Sequence, residues 1–214
     1  SSHAPNGEYG YDVRVADAAT LILDIADSPV VLGGHSMGGA TAMGVAALYP
    51  DLVRALVLED PHVSHGYKEM VAPLIRSRER LRRGPSFEEL IGQIQAENPD
   101  INAAAARLSA AKQLPMDPEA YTPFIEESMF KVFDPDSVLS DIKCPTLLMQ
   151  AEFGLGGCVN DEAASRLIRS ISDCTHVKFH NIGHNIREEA PLEYRRVLFD
   201  LLVTELPPLV SVRA

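Results

Sequence analysis

Four short apolar runs in the chain are typical of buried parallel strands. They span residues 30–33, 55–58, 146–150 and 176–179. The first three are continuously apolar, as expected for strands that helices cover on both faces, whereas the fourth alternates and suits the edge of a sheet. The pattern therefore predicts a parallel sheet.

The segments between these runs show the three- and four-residue spacing of apolar positions that is typical of helices. Helices are predicted over residues 13–27, 38–48, 161–171 and 191–206. Asp161 is the expected N-cap of the third helix, and Pro191 is the expected first residue of the last. Strands that alternate with helices predict an α/β fold, with a parallel sheet flanked by helices and right-handed crossovers.

This alternation stops between about residues 63 and 140, where we find helical patterns and no convincing strand. Those patterns cover approximately residues 65–82, 86–97, 101–113 and 117–131, and Ser86 with Glu89 predicts a capping box. A helical insertion between two strands of a parallel sheet is typical of a cap or lid. We therefore predict an α/β core formed by residues 1–62 and 141–214 and a helical cap formed by residues 63–140.

The composition excludes several classes of protein. A net charge of −11 argues against a nucleic-acid partner, which needs a basic surface. No window approaches 18 consecutive apolar residues, and the first residues lack the basic and apolar regions of a secretory leader, so we expect neither a membrane span nor a signal peptide. The three cysteines, Cys144, Cys158 and Cys174, show no C-x-x-C spacing. They predict reduced thiols, a cytoplasmic protein and no metal site.

The strongest motif is G-x-S-x-G at residues 34–38, directly after an apolar strand and at the start of a small-residue helix. This context is typical of a nucleophile elbow, in which a serine projects from a sharp strand-to-helix turn. Ser36 is the predicted nucleophile. Gly34 and Gly38 are expected to allow the strand and the helix to approach closely. The backbone N–H of Met37 is the predicted oxyanion donor.

The predicted general base is His184, which follows the last strand and precedes the last helix. A serine hydroxyl needs a base to accept its proton, and an imidazole does this near neutral pH. The serine also precedes the histidine in the chain, which is the order that α/β-hydrolases require. His35, beside the nucleophile, is expected to pack in the elbow.

Residues 31–49 resemble the elbow of α/β-hydrolase-fold esterases, lactonases and carbon–carbon bond hydrolases, and residues 183–191 resemble their histidine loop. The resemblance implies hydrolysis by acyl transfer without a cofactor. A serine at the elbow separates the chain from the haloalkane dehalogenases and epoxide hydrolases of this fold, which use aspartate there.

The triad acid departs from the common pattern of the family. Most members place an aspartate shortly after the strand that corresponds to residues 146–150, and here the matching residue is Gly154. Some members place the acid after the preceding strand, where this chain has Asp60. We favour Asp60 as the residue that orients the imidazole, with Glu152 and then Asp161 as the alternatives.

The resemblance also implies eight strands, of which the sequence shows the last four. The second oxyanion donor of the family comes from a loop after its third strand, and no matching stretch is present here. We expect the missing strands to exist in a longer native chain or to be supplied by a partner such as a homo-oligomer. A truly truncated chain is expected to be inactive.

Two classes of function remain open from the sequence. The leading hypothesis is a serine hydrolase that acts on a small ester, lactone or vinylogous diketone through Ser36, His184 and Asp60. The second is a non-catalytic hydrolase-fold protein that binds a small ligand or signals, and the departure at Gly154 is its main support. The sequence does not separate hydrolysis from a haloperoxidase-like or lyase side activity of the same triad.

Overall fold

A computed structural model of the chain describes residues 4, 8–63, 68–130 and 134–204. A parallel sheet within it is built from four strands in the order β1-β2-β3-β4. The strands are β1 (Val30–His35), β2 (Val53–Glu59), β3 (Thr146–Gln150) and β4 (Cys174–Lys178). Both the parallel sheet and the position of β4 at its edge confirm the predictions from the sequence.

The α-helices of the described residues follow the predicted alternation with the strands. They are α1 (Tyr11–Ile25), α2 (Met37–Leu48), α3 (Lys68–Arg82), α4 (Phe87–Glu97), α5 (Ala103–Gln113), α6 (Thr122–Ile125), α7 (Asp161–Ser170), α8 (Ile186–Glu189) and α9 (Pro191–Thr204). Short 3₁₀ turns cover Pro50–Leu52, Pro118–Tyr121, Pro135–Asp141 and Phe153–Leu155. Of the predicted helices, the ends at residues 65–67, 131 and 205–206 lie outside the described residues.

Two details of the predicted helices are wrong. The helix expected over residues 117–131 is a 3₁₀ turn followed by the single turn of α6, because the chain adopts a left-handed conformation at Glu127, with φ of 52°. The N-cap of α7 is Asn160 rather than Asp161. The Asn160 side chain accepts a hydrogen bond from the N–H of Ala163 at 2.8 Å.

The chain divides into two compact units. Residues Ser1–Val13 with Gly66–Val132 form one, and residues Arg14–His65 with Phe133–Ala214 form the other. The functional assignment of residues 63–140 as a cap on a core of residues 1–62 and 141–214 stays a prediction. Residues 64–67 and 131–133 of that range lie outside the described residues.

The first unit has a helical core between α4 and α5. Leu90, Ile94, Ala106 and Ala110 are buried there together. The predicted capping box at the start of α4 is present, with the Ser86 side chain accepting from one backbone N–H and the Glu89 side chain accepting from another.

In the residues that the structure describes, no helix is long and apolar enough to cross a membrane.

The second unit buries both faces of the two central strands, β2 and β3. Val57, Leu147 and Met149 belong to a cluster that also contains Val197 and Leu201 of α9. The neighbouring side chains along β2 and β3 must point to the opposite face. The side chains of Leu56, Leu58 and Leu148 on that opposite face are also fully buried. Helix α2 packs against β1 and β2. Burial on both sides explains why β2 and β3 are continuously apolar. Val31 of β1 is 37% exposed, so the expectation that helices cover both faces of that strand is wrong.

The strand register aligns the segments that carry the predicted site. His35 pairs with Glu59, Glu59 with Met149, and Met149 with Val177, so these residues form one row across the sheet. The chain therefore leaves β1 at Ser36 and β2 at Asp60 along the same carboxyl edge. Ligand and active sites of parallel sheets form at this edge.

Candidate active site

Ser36 lies on a strained turn between β1 and α2. Its φ of 54° and ψ of −121° are unusual for a residue that is not glycine. The Ser36 N–H donates to the carbonyl of Glu59 at 3.1 Å, and the Ser36 carbonyl accepts from the N–H of His62 at 3.0 Å. Both strand β2 and the segment after it therefore hold the turn in place, as expected for a nucleophile elbow.

The glycines of the elbow differ in what they permit. A Cβ at Gly34 would overlap the carbonyl oxygen of Gly38, so this close approach requires glycine. A Cβ at Gly39 would lie 2.7 Å from the Cβ of Pro61, which is also too close. A Cβ at Gly38 would meet nothing within 4 Å. The expectation that the missing side chain of Gly38 allows the close approach is therefore wrong, because a Cβ there would meet nothing, and Gly34 and Gly39 are the positions that require glycine.

Asp60 and His184 form a short hydrogen bond. The Nδ1 of His184 lies 2.6 Å from the Oδ2 of Asp60, and Asp60 is fully buried. A carboxylate accepts hydrogen bonds and does not donate them, so Nδ1 carries the proton. The Nε2 atom of a neutral His184 is then the unprotonated nitrogen, which is the form a general base requires.

Three backbone N–H groups hold the Asp60 carboxylate in this position. Ala151 and Val159 each donate to Oδ1 at 3.3 Å, and Cys158 donates to Oδ2 at 2.6 Å. All three donors come from the segment after β3, where the family places its acid most often. These bonds satisfy a buried charge, which would otherwise be expensive to exclude from water.

The two alternative acids lie elsewhere. A carboxylate oxygen of Glu152 lies 3.7 Å from the Nδ1 of His180. The Oδ1 of Asp161 accepts from Gln150 at 2.8 Å and from Lys178 at 2.7 Å. Of the three carboxylates that the sequence offered, Asp60 is therefore the one that the structure brings to His184.

The environment of His184 changes its basicity. Burial of the ring by itself lowers the pKa of His184, but hydrogen bonds and charges from Asp60 and Cys158 outweigh burial and leave the pKa above the ordinary histidine value of 6.5. The buried carboxylate therefore favours the imidazolium that forms when the ring accepts a proton.

His35 supports His184 from the elbow side. The Nε2–H of His35 donates to the carbonyl of His184 at 2.9 Å, and the centres of the two rings are 4.4 Å apart. Burial lowers the pKa of His35, and the neighbouring His184 charge lowers it further. His35 thus positions the histidine loop beside the elbow, in agreement with the expectation that it packs there.

Glu59 and Arg187 form a second link between β2 and the histidine loop that the sequence analysis missed. Glu59 is 3% exposed, and its carboxylate accepts from the Arg187 N–H at 2.9 Å and from the Arg187 guanidinium at 2.8 Å. Glu59 and Asp60 are consecutive residues, so the end of β2 contacts the loop at His184 and again three residues later at Arg187. A glutamate directly after an apolar run could have drawn attention to Glu59, but nothing in the sequence indicated its partner Arg187.

Cys158 is also a neighbour of His184, and no sequence spacing indicated this. Its Sγ lies 3.9 Å from the Nε2 of His184. Ligand atoms of Asp60, Cys158 and His184 all lie within 4.8 Å of one another. The three residues come from different loops, so no spacing along the sequence indicates that their side chains lie together.

A sequence profile of the alpha/beta hydrolase family matches residues 1–197. The chain belongs to this family. A solved structure of E-2-(acetamidomethylene)succinate hydrolase has a TM-score of 0.70, covers 92% of this chain and 75% of that one, and is 23% identical in sequence. At that identity the likeness concerns the fold, and it confirms the predicted α/β-hydrolase architecture.

Two further relatives of this α/β-hydrolase chain have names that refer to lipid or ester hydrolysis. Lipase LipV of Mycobacterium tuberculosis is 53% identical over 53 residues, which are 25% of this chain and 20% of the lipase. An esterase/lipase-type protein of Haemophilus influenzae is 24% identical over 196 residues, 85% of this chain and 63% of that protein. The chain spans less than two thirds of the length of either relative.

The first turn of α2 is the place where this hydrolase-fold chain offers backbone donors. Met37 is the first residue of the helix, and the side chain of Ser36 caps none of its N–H groups. Helix N-termini carry partial positive charge and unsatisfied N–H groups, which attract an oxyanion. The predicted donor Met37 is thus located at a helix N-terminus beside the serine.

Proposed function

We propose that this chain carries the catalytic residues of a serine hydrolase that cleaves a small ester, lactone or vinylogous diketone. The observation that carries the proposal is the 2.6 Å hydrogen bond between His184 and the fully buried Asp60. The loop of His184 is also bonded to His35, the residue before Ser36 on its strained elbow. A buried carboxylate that fixes one tautomer of an imidazole is the arrangement that activates a serine.

In the first half of the reaction, Ser36 Oγ attacks the substrate carbonyl while His184 Nε2 accepts the hydroxyl proton. Asp60 stabilises the resulting imidazolium through Nδ1. The Met37 N–H donates to the oxyanion of the tetrahedral intermediate. His184 then returns the proton to the leaving group, and an acyl-enzyme on Ser36 remains.

In the second half, water takes the place of the leaving group. His184 accepts a proton from the water, and the resulting hydroxide attacks the acyl carbonyl. Collapse of the second tetrahedral intermediate releases the acid, and His184 returns its proton to Ser36 Oγ. Each proton removed is returned, so the reaction requires no cofactor.

The substrate class is supported by the family and by the names of relatives. Both the lipase and the esterase/lipase-type relative favour a carboxylic ester. A cytoplasmic location stays a prediction. The same holds for a partner or a longer native chain that would supply the second oxyanion donor.

The proposal is tested by substitution of the nucleophile. Ser36→Ala should lower kcat for p-nitrophenyl acetate by at least about 10⁴, because the covalent route is lost. The matched control is Ser165→Ala, which removes an exposed hydroxyl on α7. Equal turnover by the wild type, Ser36→Ala and Ser165→Ala would overturn the proposal.

A second candidate function is non-catalytic ligand binding by the same fold. Two observations favour it: glycine at position 154, and the thiol of Cys158 beside the nitrogen that must accept the serine proton. A wild-type protein that hydrolyses no p-nitrophenyl ester of two to eight acyl carbons, yet is stabilised against heat by one of them, would support this alternative.

A further inference from the structure

Gln150, the last residue of β3, has a buried polar side chain that the serine-hydrolase mechanism does not use. The residue is 1% exposed, and it directly precedes the segment that supplies three backbone N–H groups to Asp60. A buried amide costs free energy unless its donors and its acceptor are paired, so the partners of Gln150 show what its side chain holds.

Both ends of the Gln150 amide are paired. Its NH₂ group donates to the carbonyl of Val159 at 3.0 Å and to Oδ1 of Asp161 at 2.8 Å. Because a carbonyl and a carboxylate only accept, the nitrogen must be the end of the amide that faces them. The amide oxygen accepts from the Nε2–H of His176 on β4 at 2.9 Å. His176 therefore fixes the direction in which Gln150 donates.

Val159 is held from both sides. Its carbonyl accepts from Gln150, while its N–H donates to Oδ1 of Asp60 at 3.3 Å. Val159 is fully buried, so neither group can turn to water unless the segment rearranges. The other donor to Oδ1 is Ala151, which directly follows Gln150 in the chain. Both donors to this oxygen are thus tied to Gln150, one through the backbone and one through the side chain.

The segment between these two donors closes on itself near its start. The Gly157 N–H donates to the Glu152 carbonyl at 3.2 Å, and the Glu152 N–H donates to the carbonyl of Ile182 at 2.8 Å. The side chain of Gln150 secures the end of the segment at Val159. Cys158, whose N–H donates to Oδ2 of Asp60 at 2.6 Å, directly precedes Val159 and is held by the same contact.

We propose that Gln150 is a positioning residue for Asp60: its side chain holds Val159 and thereby keeps the Cys158 and Val159 N–H groups on the carboxylate that orients His184. Without this contact, the Val159 carbonyl would turn toward water, and two of the three donors would leave a buried charge. The carboxylate would then lose its fixed orientation toward His184. The holding of the donors follows from the geometry, whereas the effect on catalysis rests on the proposed function.

Amide hydrogen exchange tests whether Gln150 holds these donors, and it requires no catalytic activity. Gln150→Met replaces the amide by an apolar group of similar length. The N–H groups of Cys158 and Val159 should then exchange about tenfold faster relative to the amides of α2, because a bond that opposes local opening is lost. Unchanged exchange at both residues would overturn the proposal.

Thr146→Val is the matched control on the same strand. Thr146 is also 1% exposed, and its hydroxyl donates to the carbonyl of Cys144 at 3.1 Å, so the substitution again removes a buried hydrogen bond from β3. Exchange at Cys158 and Val159 should stay unchanged relative to the amides of α2. Equal acceleration in Thr146→Val and Gln150→Met would show a general loss of stability and reject the specific role of Gln150.

Kinetic constants test the consequence for catalysis. Gln150→Met should lower kcat for p-nitrophenyl acetate by about 10- to 100-fold, because a small misplacement of a catalytic group has effects of this size. KM should stay within about twofold of the wild type, because Gln150 is buried and offers no surface to a substrate. Thr146→Val should keep both constants. An unchanged kcat per folded molecule of Gln150→Met would contradict the positioning role.

Gln150→Asn is a second variant that keeps an amide at this position. Its side chain is one methylene group shorter, so its NH₂ group no longer reaches the Val159 carbonyl. It should show the same faster exchange and the same fall in kcat as Gln150→Met, whether or not the methionine variant folds. Asp161→Asn keeps an oxygen that can accept from Gln150, so its exchange and kcat should match the wild type. Wild-type kcat in Gln150→Asn would refute the proposal.

The exchange and kinetic experiments separate this proposal from the proposed function. Faster exchange at Cys158 and Val159 in a Gln150→Met protein, when the wild type has no esterase activity, would leave the holding of the donors intact and reject the hydrolase. An active wild type whose kcat and amide exchange are both insensitive to Gln150→Met would reject the positioning role and leave the hydrolase.

Discussion

Replacement of Asp60 by asparagine changes one oxygen of a buried carboxylate into an NH₂ group and keeps its shape. In the native protein, Oδ1 accepts from two backbone N–H groups, and Oδ2 accepts from the Cys158 N–H and from His184. The single oxygen of asparagine can occupy one of these two positions, and its NH₂ group must occupy the other.

The number of unpaired donors decides between the two orientations. With NH₂ at the Oδ1 position, two buried backbone N–H groups lose their acceptor. With NH₂ at the Oδ2 position, only one buried backbone N–H, that of Cys158, loses its acceptor. Each buried donor left unpaired costs about 1–3 kcal/mol, so the second orientation is favoured. The NH₂ group then faces His184 Nδ1, which must accept, and the proton moves to Nε2.

A His184 with its proton on Nε2 cannot act as a base toward Ser36. We therefore expect Asp60→Asn to lower kcat by about 10⁴, or about 5.4 kcal/mol in activation free energy. Folding should suffer less, because one buried N–H is left unpaired. A loss of about 1–3 kcal/mol should lower the Tm by about 2–4 °C for each kcal/mol.

The assay measures kcat and kcat/KM for p-nitrophenyl acetate. Circular dichroism shows whether the variant is folded at the assay temperature. Glu152→Gln and Asp161→Asn are matched controls, because their carboxylates contact His180 and Lys178 rather than His184. Both should keep wild-type activity. A folded Asp60→Asn with wild-type activity, or a loss of activity on Glu152→Gln instead, would refute the reasoning.

Three further predictions concern the same unit. In a pH profile of kcat/KM, the midpoint of the acidic limb should lie above pH 6.5. The raised pKa of His184 keeps its ring protonated, and therefore inactive as a base, to a higher pH. A midpoint below pH 6 would contradict this prediction. Arg187→Ala should lower the free energy of unfolding, measured in urea, by about 1–3 kcal/mol, because the buried Glu59 carboxylate loses its charged partner and keeps only the backbone N–H; an unchanged urea midpoint would contradict it. Gly34→Ala should destabilise the protein by more than about 3 kcal/mol through overlap with backbone, whereas Gly38→Ala should stay within about 1 kcal/mol of the wild type. Equal effects of the two glycine substitutions on the urea midpoint would show that the contact at Gly34 is not the cause.

The two central strands of the sheet could be predicted because both of their faces are buried. Continuous apolar runs such as residues 146–150 identify such strands directly, and the G-x-S-x-G spacing places the turn after β1. Short helices and caps were less predictable. At residues 117–131 the helical pattern gave no sign of the left-handed turn at Glu127, and at α7 two adjacent side chains, Asn160 and Asp161, could both have capped the helix.

The candidate site was predictable to the extent that its residues belong to a motif. Asp60 was preferred over Glu152 and Asp161 through family resemblance, and no periodicity in the sequence could rank the three. The contacts of Glu59 with Arg187 and of Cys158 with His184 join segments 128 and 26 residues apart in the chain. Tertiary folding creates such contacts, so no local pattern carries them.

The central claim is that Asp60 and His184 activate Ser36, and a fluorophosphonate probe tests it most directly. The probe reacts with an activated serine and leaves an inert one unmodified. The account predicts one adduct per chain, mapped by mass spectrometry to Ser36 in the wild type and absent from His184→Ala. A protein that gains no adduct, or whose adduct maps to a different serine, would contradict the account.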